Sequence, residues 1–350
     1  MHHRDVFSGA EKVVTDLYSL DSKKNLDITN FVPNNSELGR FYVNSNLNCI
    51  YSNNLISKEK HNIFYYFYKL FLLNFEILCS LNKFDVIIAN TYISAIKIFP
   101  ALLIIKLFKT KGICIIHDIF NQKHKLYSLK ILSKTVNSMI TVSNTTAKLN
   151  RLENLTNVHV IYNGISLMPL RTIKTITKNI VIVGLLDPWK GQANLVENSK
   201  YSKLFTTYLI GSTRNLDYVD QIKKLKINNV KIVGAKSNPW EYVNKINASF
   251  SICCSIKPDP LPTVVLESIA NSIIPFVTSL GGGSEMIPPK YHRLLVVDFF
   301  SDADINKMVF EINNMSLKQY NIIINDLRMY LLKNFNSEMK REKYSKLLLA

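Results

Sequence analysis

Ile180-Val-Ile-Val-Gly184, Thr207-Tyr-Leu-Ile-Gly211 and Val230-Lys-Ile-Val-Gly234 decide the fold class. Each is a short apolar run rich in β-branched residues, and longer segments with helical spacing separate them. Strands that are apolar on both faces are buried on both faces, and their alternation with helices makes a parallel sheet covered on each side. Outward from this stretch the same kind of run recurs at 248–253, 274–278 and 293–297, and upstream at 85–90, 112–117, 138–143 and 158–162. These runs are too many for one doubly wound sheet, so the sequence predicts an α/β protein of two domains. Residues 163–178 combine Asn163-Gly164 and Pro169 with basic, non-periodic content, which reads as a linker. The expected division is a first domain over 1–165, a linker over 166–179, a second domain over 180–325 and C-terminal helices over 326–350. From Asp304 to Leu349 there is no Gly or Pro, and Ile323, Leu327, Tyr330 and Leu331 keep helical spacing.

The chain has 350 residues, 47% apolar and 20% charged, which excludes disordered, collagen-like and disulfide-scaffold classes. Cys49, Cys79, Cys114, Cys253 and Cys254 form no C-x-x-C pair, so reduced core thiols in a cytoplasmic protein are expected, with no metal. The opening residues lack the apolar core of a signal peptide. No spanning helix is expected, because Lys69 and Glu76 interrupt Asn62–Leu81 and the run Ile98–Ile105 is too short. The net charge of +17 is spread evenly, +8 in residues 1–165 and +9 in 166–350. A diffuse excess without a nucleic-acid motif argues against nucleic acid and for an anionic membrane surface or phosphorylated substrates.

Candidate chemistry concentrates in Lys257-Pro-Asp259-Pro-Leu-Pro262-Thr-Val-Val-Leu-Glu267-Ser-Ile-Ala-Asn-Ser272. Two carboxylates eight positions apart, Asp259 and Glu267, flank a helix start near Thr263. Free backbone N–H groups and the positive dipole end suit a phosphate there. Glu267 can accept hydrogen bonds from vicinal hydroxyls. Taken alone, the stretch is as readily an ordinary loop-to-helix junction with exposed acids. Two others accompany it: Ser279-Leu-Gly281-Gly282-Gly283-Ser284-Glu285, whose glycines allow close backbone approach, and Val183-Gly184-Leu-Leu-Asp-Pro188-Trp189-Lys190-Gly191-Gln192, which puts a lysine just before a helix.

Together and in this order these stretches resemble the family 4 (group 1) glycosyltransferases, whose GT-B fold has two Rossmann-like domains facing across a cleft. Asp259 and Glu267 keep the spacing of that family's paired glutamates, with Asp in the first place. Gly281–Glu285 is similar to its Gly-Gly-x-x-Glu turn, Val160–Gly164 to the end of its first domain, and Ser8-Gly9-Ala10-Glu11-Lys12 to its N-terminal glycine loop. The resemblance implies a nucleotide-sugar donor held by the second domain and an acceptor by the first. Donor binding falls to Gly184, Lys190, Arg214, Leu261, Thr263 and Glu267, with Lys190 on the diphosphate and Glu267 on the ribose. Asp259 stands on the sugar side, and Gly9 and Glu11 on the acceptor side. His117, in Ile115-Ile116-His117-Asp118, ends a strand at the carboxyl edge of its sheet, where open α/β folds bind ligands, and is similar to the family's first-domain histidine near the transferred sugar. His124 and His159 have no such context. The resemblance implies retention of anomeric configuration and no cofactor or metal.

The chain departs from the pattern in having Leu185 where the family usually has Arg, and Pro262 in place of a Gly. It also begins at the glycine loop, so the expectation is either a true start further upstream or a first sheet lacking its opening strand. The stretch Asn62–Phe75 has aromatics on nearly every helix face; such a helix is expected to be buried. Its alternative is an interfacial helix with Lys69 toward headgroups. The resulting expectation is a retaining transferase of bacterial surface polysaccharide (lipopolysaccharide O-antigen or capsule), acting on a lipid-linked saccharide at the inner face of the cytoplasmic membrane. The alternatives are an epimerase-like sugar-nucleotide enzyme of the same fold and a non-catalytic sugar-nucleotide-binding subunit.

Overall fold

The computed structural model describes residues 27–56, 62–171, 173–213 and 215–349. The chain divides into two compact units. One takes in the described residues up to Asn163 with the helix from Glu338 onward, and the other is Gly164–Ser337.

In the first unit the order is β1 (Asn30–Pro33), α1 (Glu37–Asn44), β2 (Cys49–Ser52), α2 (Ile63–Ser80), β3 (Val86–Ala89), α3 (Tyr92–Lys97), α4 (Phe99–Ile104), β4 (Lys111–Ile116), α5 (Lys123–Thr135), β5 (Ser138–Thr141), α6 (Asn144–Leu149) and β6 (Val158–Val160). Strands β3-β4-β5-β6 form one parallel sheet in that order, and β1 pairs with β2, also in parallel. Leu73 and Ile77 of α2, Ala101 and Leu102 of α4, and Leu129 and Leu132 of α5 are buried with Ala89, Cys114, Ile116 and Met139 in a single core. Helices start where a polar residue caps them: Thr91 accepts from Ser94 N–H, and Ser143 from Thr146 N–H.

The second unit contains β7 (Asn179–Val183), α7 (Gln192–Glu197), α8 (Ser199–Leu204), β8 (Thr206–Ile210), α9 (Leu216–Lys224), β9 (Val230–Gly234), α10 (Pro239–Lys245), β10 (Phe250–Cys253), α11 (Thr263–Ala270), β11 (Ile274–Thr278), α12 (His292–Leu295), β12 (Val296–Val297), α13 (Asp302–Asn314) and α14 (Leu317–Asn334). The six strands are all parallel in the order β12-β11-β10-β7-β8-β9. This is the Rossmann order, which reverses direction between its first and fourth strands, β7 and β10. Every residue of β10 and β11 is buried. Pro275 is tolerated inside β11 because Ile274 N–H donates toward β10, so the proline nitrogen faces the other side, where β12 pairs only from Val277 onward. The segment before β7 is held to this unit: Arg171 N–H donates to Ser272 Oγ and Thr177 N–H to Ser249 Oγ. A last helix, α15 (Ser337–Leu349), follows α14.

The structure departs from the sequence expectations at four places. Strands β1 and β2 were not foreseen, being four residues each and set among Asn, Ser and Pro. The run expected as a strand over 293–297 is one helical turn, His292–Leu295, with strand only at Val296–Val297; short apolar runs carry no period that separates the two. Cys79 is exposed rather than a core thiol. The helix within Ile63–Lys83, which by length and mean hydropathy of 1.2 alone could cross a membrane, is not buried all round: its inward residues Leu73, Asn74 and Ile77 pack on the core, whereas Phe64, Phe67, Phe71 and Phe75 are exposed.

Candidate functional site

The reversal of strand order between β7 and β10 opens a crevice at their carboxyl ends, the place where such sheets bind ligands. After β7, Asp187 caps a single 3-10 turn over Pro188–Lys190, its Oδ1 accepting from Trp189 N–H. After β10, the chain enters the proline-rich loop that precedes α11. Backbone contacts join these segments: Ile256 N–H donates to the Trp189 carbonyl at 2.9 Å, and the Cys254 thiol lies 3.3 Å from the Lys190 carbonyl. Gly191, at φ 74°, allows this approach, since a β-carbon there would collide with the Cys254 carbonyl.

Lys190 and Asp259 thereby meet at 2.6 Å between Nζ and Oδ2, with side chains only 21% and 11% exposed. The Lys190 ammonium also stands 3.9 Å from the centre of the Trp189 ring. An ion pair this sheltered is stronger than a surface pair, and an indole face adds attraction to the cation. Cys253 lies close by. Burial pushes its thiol up to about 11, with Lys190 pulling in the opposite direction.

The triple-glycine turn completes the loop. Gly282 N–H donates to the Asp259 carbonyl at 2.8 Å, and Asp259 and Gly281 form an isolated parallel bridge. Gly281 sits at φ 84°, and any side chain there would strike the Asp259 backbone. The two stretches read separately in the sequence are thus one structural unit that fixes Asp259.

Helix α11 begins at Thr263 with Pro262 as N-cap and no side-chain capping bond, and its first turn holds no acid. Its positive end is therefore not neutralised by a side chain. Leu261, just before it, is buried. Glu267, one turn in, accepts a 2.9 Å hydrogen bond from Trp240 Nε1 at the start of α10. Gly184 directly follows β7, its N–H donating to the Ile210 carbonyl. At the far end of α11, Arg328 of α14 donates to the Ala270 carbonyl at 2.8 Å and the Met168 carbonyl at 2.6 Å.

In the first unit, His117 stands one residue beyond β4, and its Nε2 lies 3.1 Å from Oδ1 of the buried Asn90, which follows β3. His117 is thus held at the carboxyl edge of its sheet. Gly9, Glu11 and Arg214 lie outside the described residues.

Sequence reasoning passed over the two tryptophans. The chain has only Trp189 and Trp240, and each touches an expected donor residue, Lys190 and Glu267 respectively. Their rarity was a signal, but pairing Trp240 with Glu267 spans 27 positions and depends on α10 and α11 packing together. Among the described residues no cluster of three metal-ligating side chains occurs.

Residues 171–326 match the sequence profile of the family described as glycosyl transferases group 1. No curated protein sequence matches the chain. Among solved structures, HepE of Anabaena in complex with UDP and glucose is similar at 17% identity, covering 99% of this chain and 97% of that one with a TM-score of 0.79. The lipopolysaccharide outer core galactosyltransferase WaaB is similar at 16% identity, with the same coverage and a TM-score of 0.73. Sucrose-phosphate synthase of Thermosynechococcus elongatus follows at 15% identity, 97% and 92% coverage and a TM-score of 0.76. Identities this low establish a shared fold.

Proposed function

We infer that the chain is a group 1 glycosyltransferase with the GT-B fold, whose second unit binds a UDP-sugar and passes the sugar, with retention, to a lipid-linked saccharide of a bacterial surface polysaccharide. The observation that carries the donor half is the sheltered Lys190–Asp259 pair at the strand-order reversal, beside the uncapped start of α11. HepE, solved with UDP, has the same fold, which favours a uridine nucleotide.

In this reading the bond between the anomeric carbon and the diphosphate oxygen breaks while the acceptor hydroxyl oxygen bonds to that carbon on the same face. The hydroxyl proton goes to the departing diphosphate. Lys190 and the N–H groups at Thr263 supply positive potential where charge develops on the leaving group, in a site where side-chain burial limits screening. Leu185 adds no second cation, so the diphosphate falls to Lys190 together with Arg214. Glu267, held by Trp240, accepts from the ribose hydroxyls. Gly184 lets the backbone approach, Leu261 supplies an apolar wall, and Asp259 orients the sugar. By the resemblance, the first unit contributes His117, held by Asn90, as a catalytic residue, and Gly9 and Glu11 for the acceptor.

The acceptor half is supported by the similarity to WaaB, a lipopolysaccharide outer core galactosyltransferase, and by the basic character of the chain. In this reading the protein works in the cytoplasm, peripheral to the inner face of the membrane. Isothermal titration with UDP, GDP, dTDP and CMP tests the donor reading: selective binding of UDP is expected, and equal or absent binding overturns it. Glu267→Ala is expected to weaken UDP binding, whereas His117→Ala lowers turnover with UDP affinity kept.

A further inference from the structure

Helix α2 is inverted relative to a helix on an aqueous surface. Its polar side chains are turned toward the protein: Asn74 is buried and donates to the Lys97 carbonyl, Lys69 donates to Asn54 Oδ1, and Glu76 accepts from Ser52 and Asn54. Its outward line is Phe64, Phe67, Tyr68, Phe71 and Phe75, at 57–82% exposure. Steps of three and four residues put these rings in one stripe along a helix of 18 residues, about 27 Å long. A surface helix ordinarily carries its polar residues outward, and a contiguous exposed apolar patch marks an interaction site.

The flanks of the stripe are basic. Because α2, α4 and α5 bury their inner faces in one core on the same sheet, their outer faces lie on the same side of the unit. There Leu103 and Leu107 are exposed, as are Lys106, Lys109, Lys123, Lys130 and Lys134. Between Phe99 and Thr135 the sequence holds lysines at 106, 109, 111, 123, 125, 130 and 134 against one acid, Asp118. Lys106 Nζ donates to the Lys134 carbonyl, joining the two lysine groups across the surface.

We propose that the α2 aromatic stripe and the lysines of the 105–109 turn and α5 dock this chain reversibly on an anionic phospholipid surface. Aromatic rings are favoured at the boundary of hydrocarbon and headgroups, and lysines beside them meet the acidic headgroups. Spanning is disfavoured, since it would strip Leu73, Ile77 and Asn74 from the core. A two-fold contact with a second copy would set lysines against lysines, whereas an acidic bilayer complements them. The proposal extends the acceptor half of the reading above, on which its purpose rests, but its geometry is independent of the donor site.

Co-sedimentation of the full chain with vesicles of phosphatidylglycerol and phosphatidylcholine, compared with phosphatidylcholine alone, tests it. The protein is expected to pellet with the anionic vesicles and to be released by high salt. Phe67→Ser with Phe71→Ser, and separately Lys106→Glu with Lys130→Glu, are each expected to lower partitioning roughly tenfold or more while UDP binding is kept. Wild-type protein remaining in the supernatant, or either double variant pelleting like wild type, overturns the proposal. So does a dimer in light scattering that the phenylalanine changes dissociate without any dependence on lipid. Vesicle binding without UDP binding leaves the surface intact and removes the donor reading; UDP binding without vesicle binding does the reverse.

Discussion

Lys190 Nζ lies 2.6 Å from Oδ2 of Asp259, although 69 positions separate the two residues. Lys190, the residue proposed to hold the diphosphate, is thus engaged by a carboxylate. Lys190→Ala is therefore expected to weaken UDP binding by roughly 10-fold to 100-fold, the range of a charge-assisted hydrogen bond. Asp259→Asn removes a negative charge from beside the proposed phosphate position, so it should hold or tighten UDP affinity while lowering turnover. Calorimetry and single-turnover transfer measure the two effects. Parallel loss of UDP affinity in both variants would contradict the arrangement.

Glu267 accepts a 2.9 Å hydrogen bond from Trp240 Nε1. Trp240→Phe keeps an aromatic ring but deletes the donor, and is expected to weaken UDP binding about threefold to tenfold, in line with one neutral-to-charged hydrogen bond acting indirectly. Glu267→Ala should cost more, and the double variant no more than Glu267→Ala alone. Additive losses in that cycle would show that the two act separately.

Gly281→Ala places a β-carbon against the Asp259 backbone at a φ of 84°. A destabilisation of about 1–3 kcal/mol is expected, read as a lower Tm, together with impaired transfer because Asp259 shifts. Gly283→Ala has only ordinary contacts to meet and should retain near wild-type stability.

Arg328 holds the C-terminal carbonyls of α11 and the chain at Met168. Burial lowers the pKa of its guanidinium only from a very high value, so it remains charged. Arg328→Met leaves those carbonyls without their donor, and chemical denaturation should show a loss of roughly 2–4 kcal/mol. Arg328→Lys should recover part of it.

Cysteine chemistry gives a pH-dependent outcome. Cys79 is exposed, whereas Cys114, Cys253 and Cys254 are buried with pKa values raised by desolvation. Alkylation of the native protein at pH 8 should mark Cys79 and spare those three, since the thiolate is the reacting form. The folded Cys253 thiol titrates near 11 against an ordinary 9.0. Its contribution to stability is therefore full below about pH 9 and declines as pH rises through 11. Mass spectrometry after brief labelling, and unfolding across that range, check both statements.

The sequence by itself determined the α/β class and most of the sheet, because β-branched runs such as Ile180–Val183 and Ile274–Thr278 are apolar on both faces and leave few places to go except a covered parallel sheet. It also placed Thr263 at a helix start and Glu267 one turn inside it, since capping and period are local properties. Local chemistry could not set what lies opposite. The Lys190–Asp259 pair, the collision-limited seat of Asp259 on Gly281 and the Trp240–Glu267 bond each join segments brought side by side only by strand order and helix packing. The direction of α2 was likewise undetermined by its composition. Its apolar residues lie on nearly every face and name no inward side; that choice fell to Lys69, Asn74 and Glu76, which find Asn54, the Lys97 carbonyl and Ser52 on the protein side, leaving Phe67 and Phe71 to the outside.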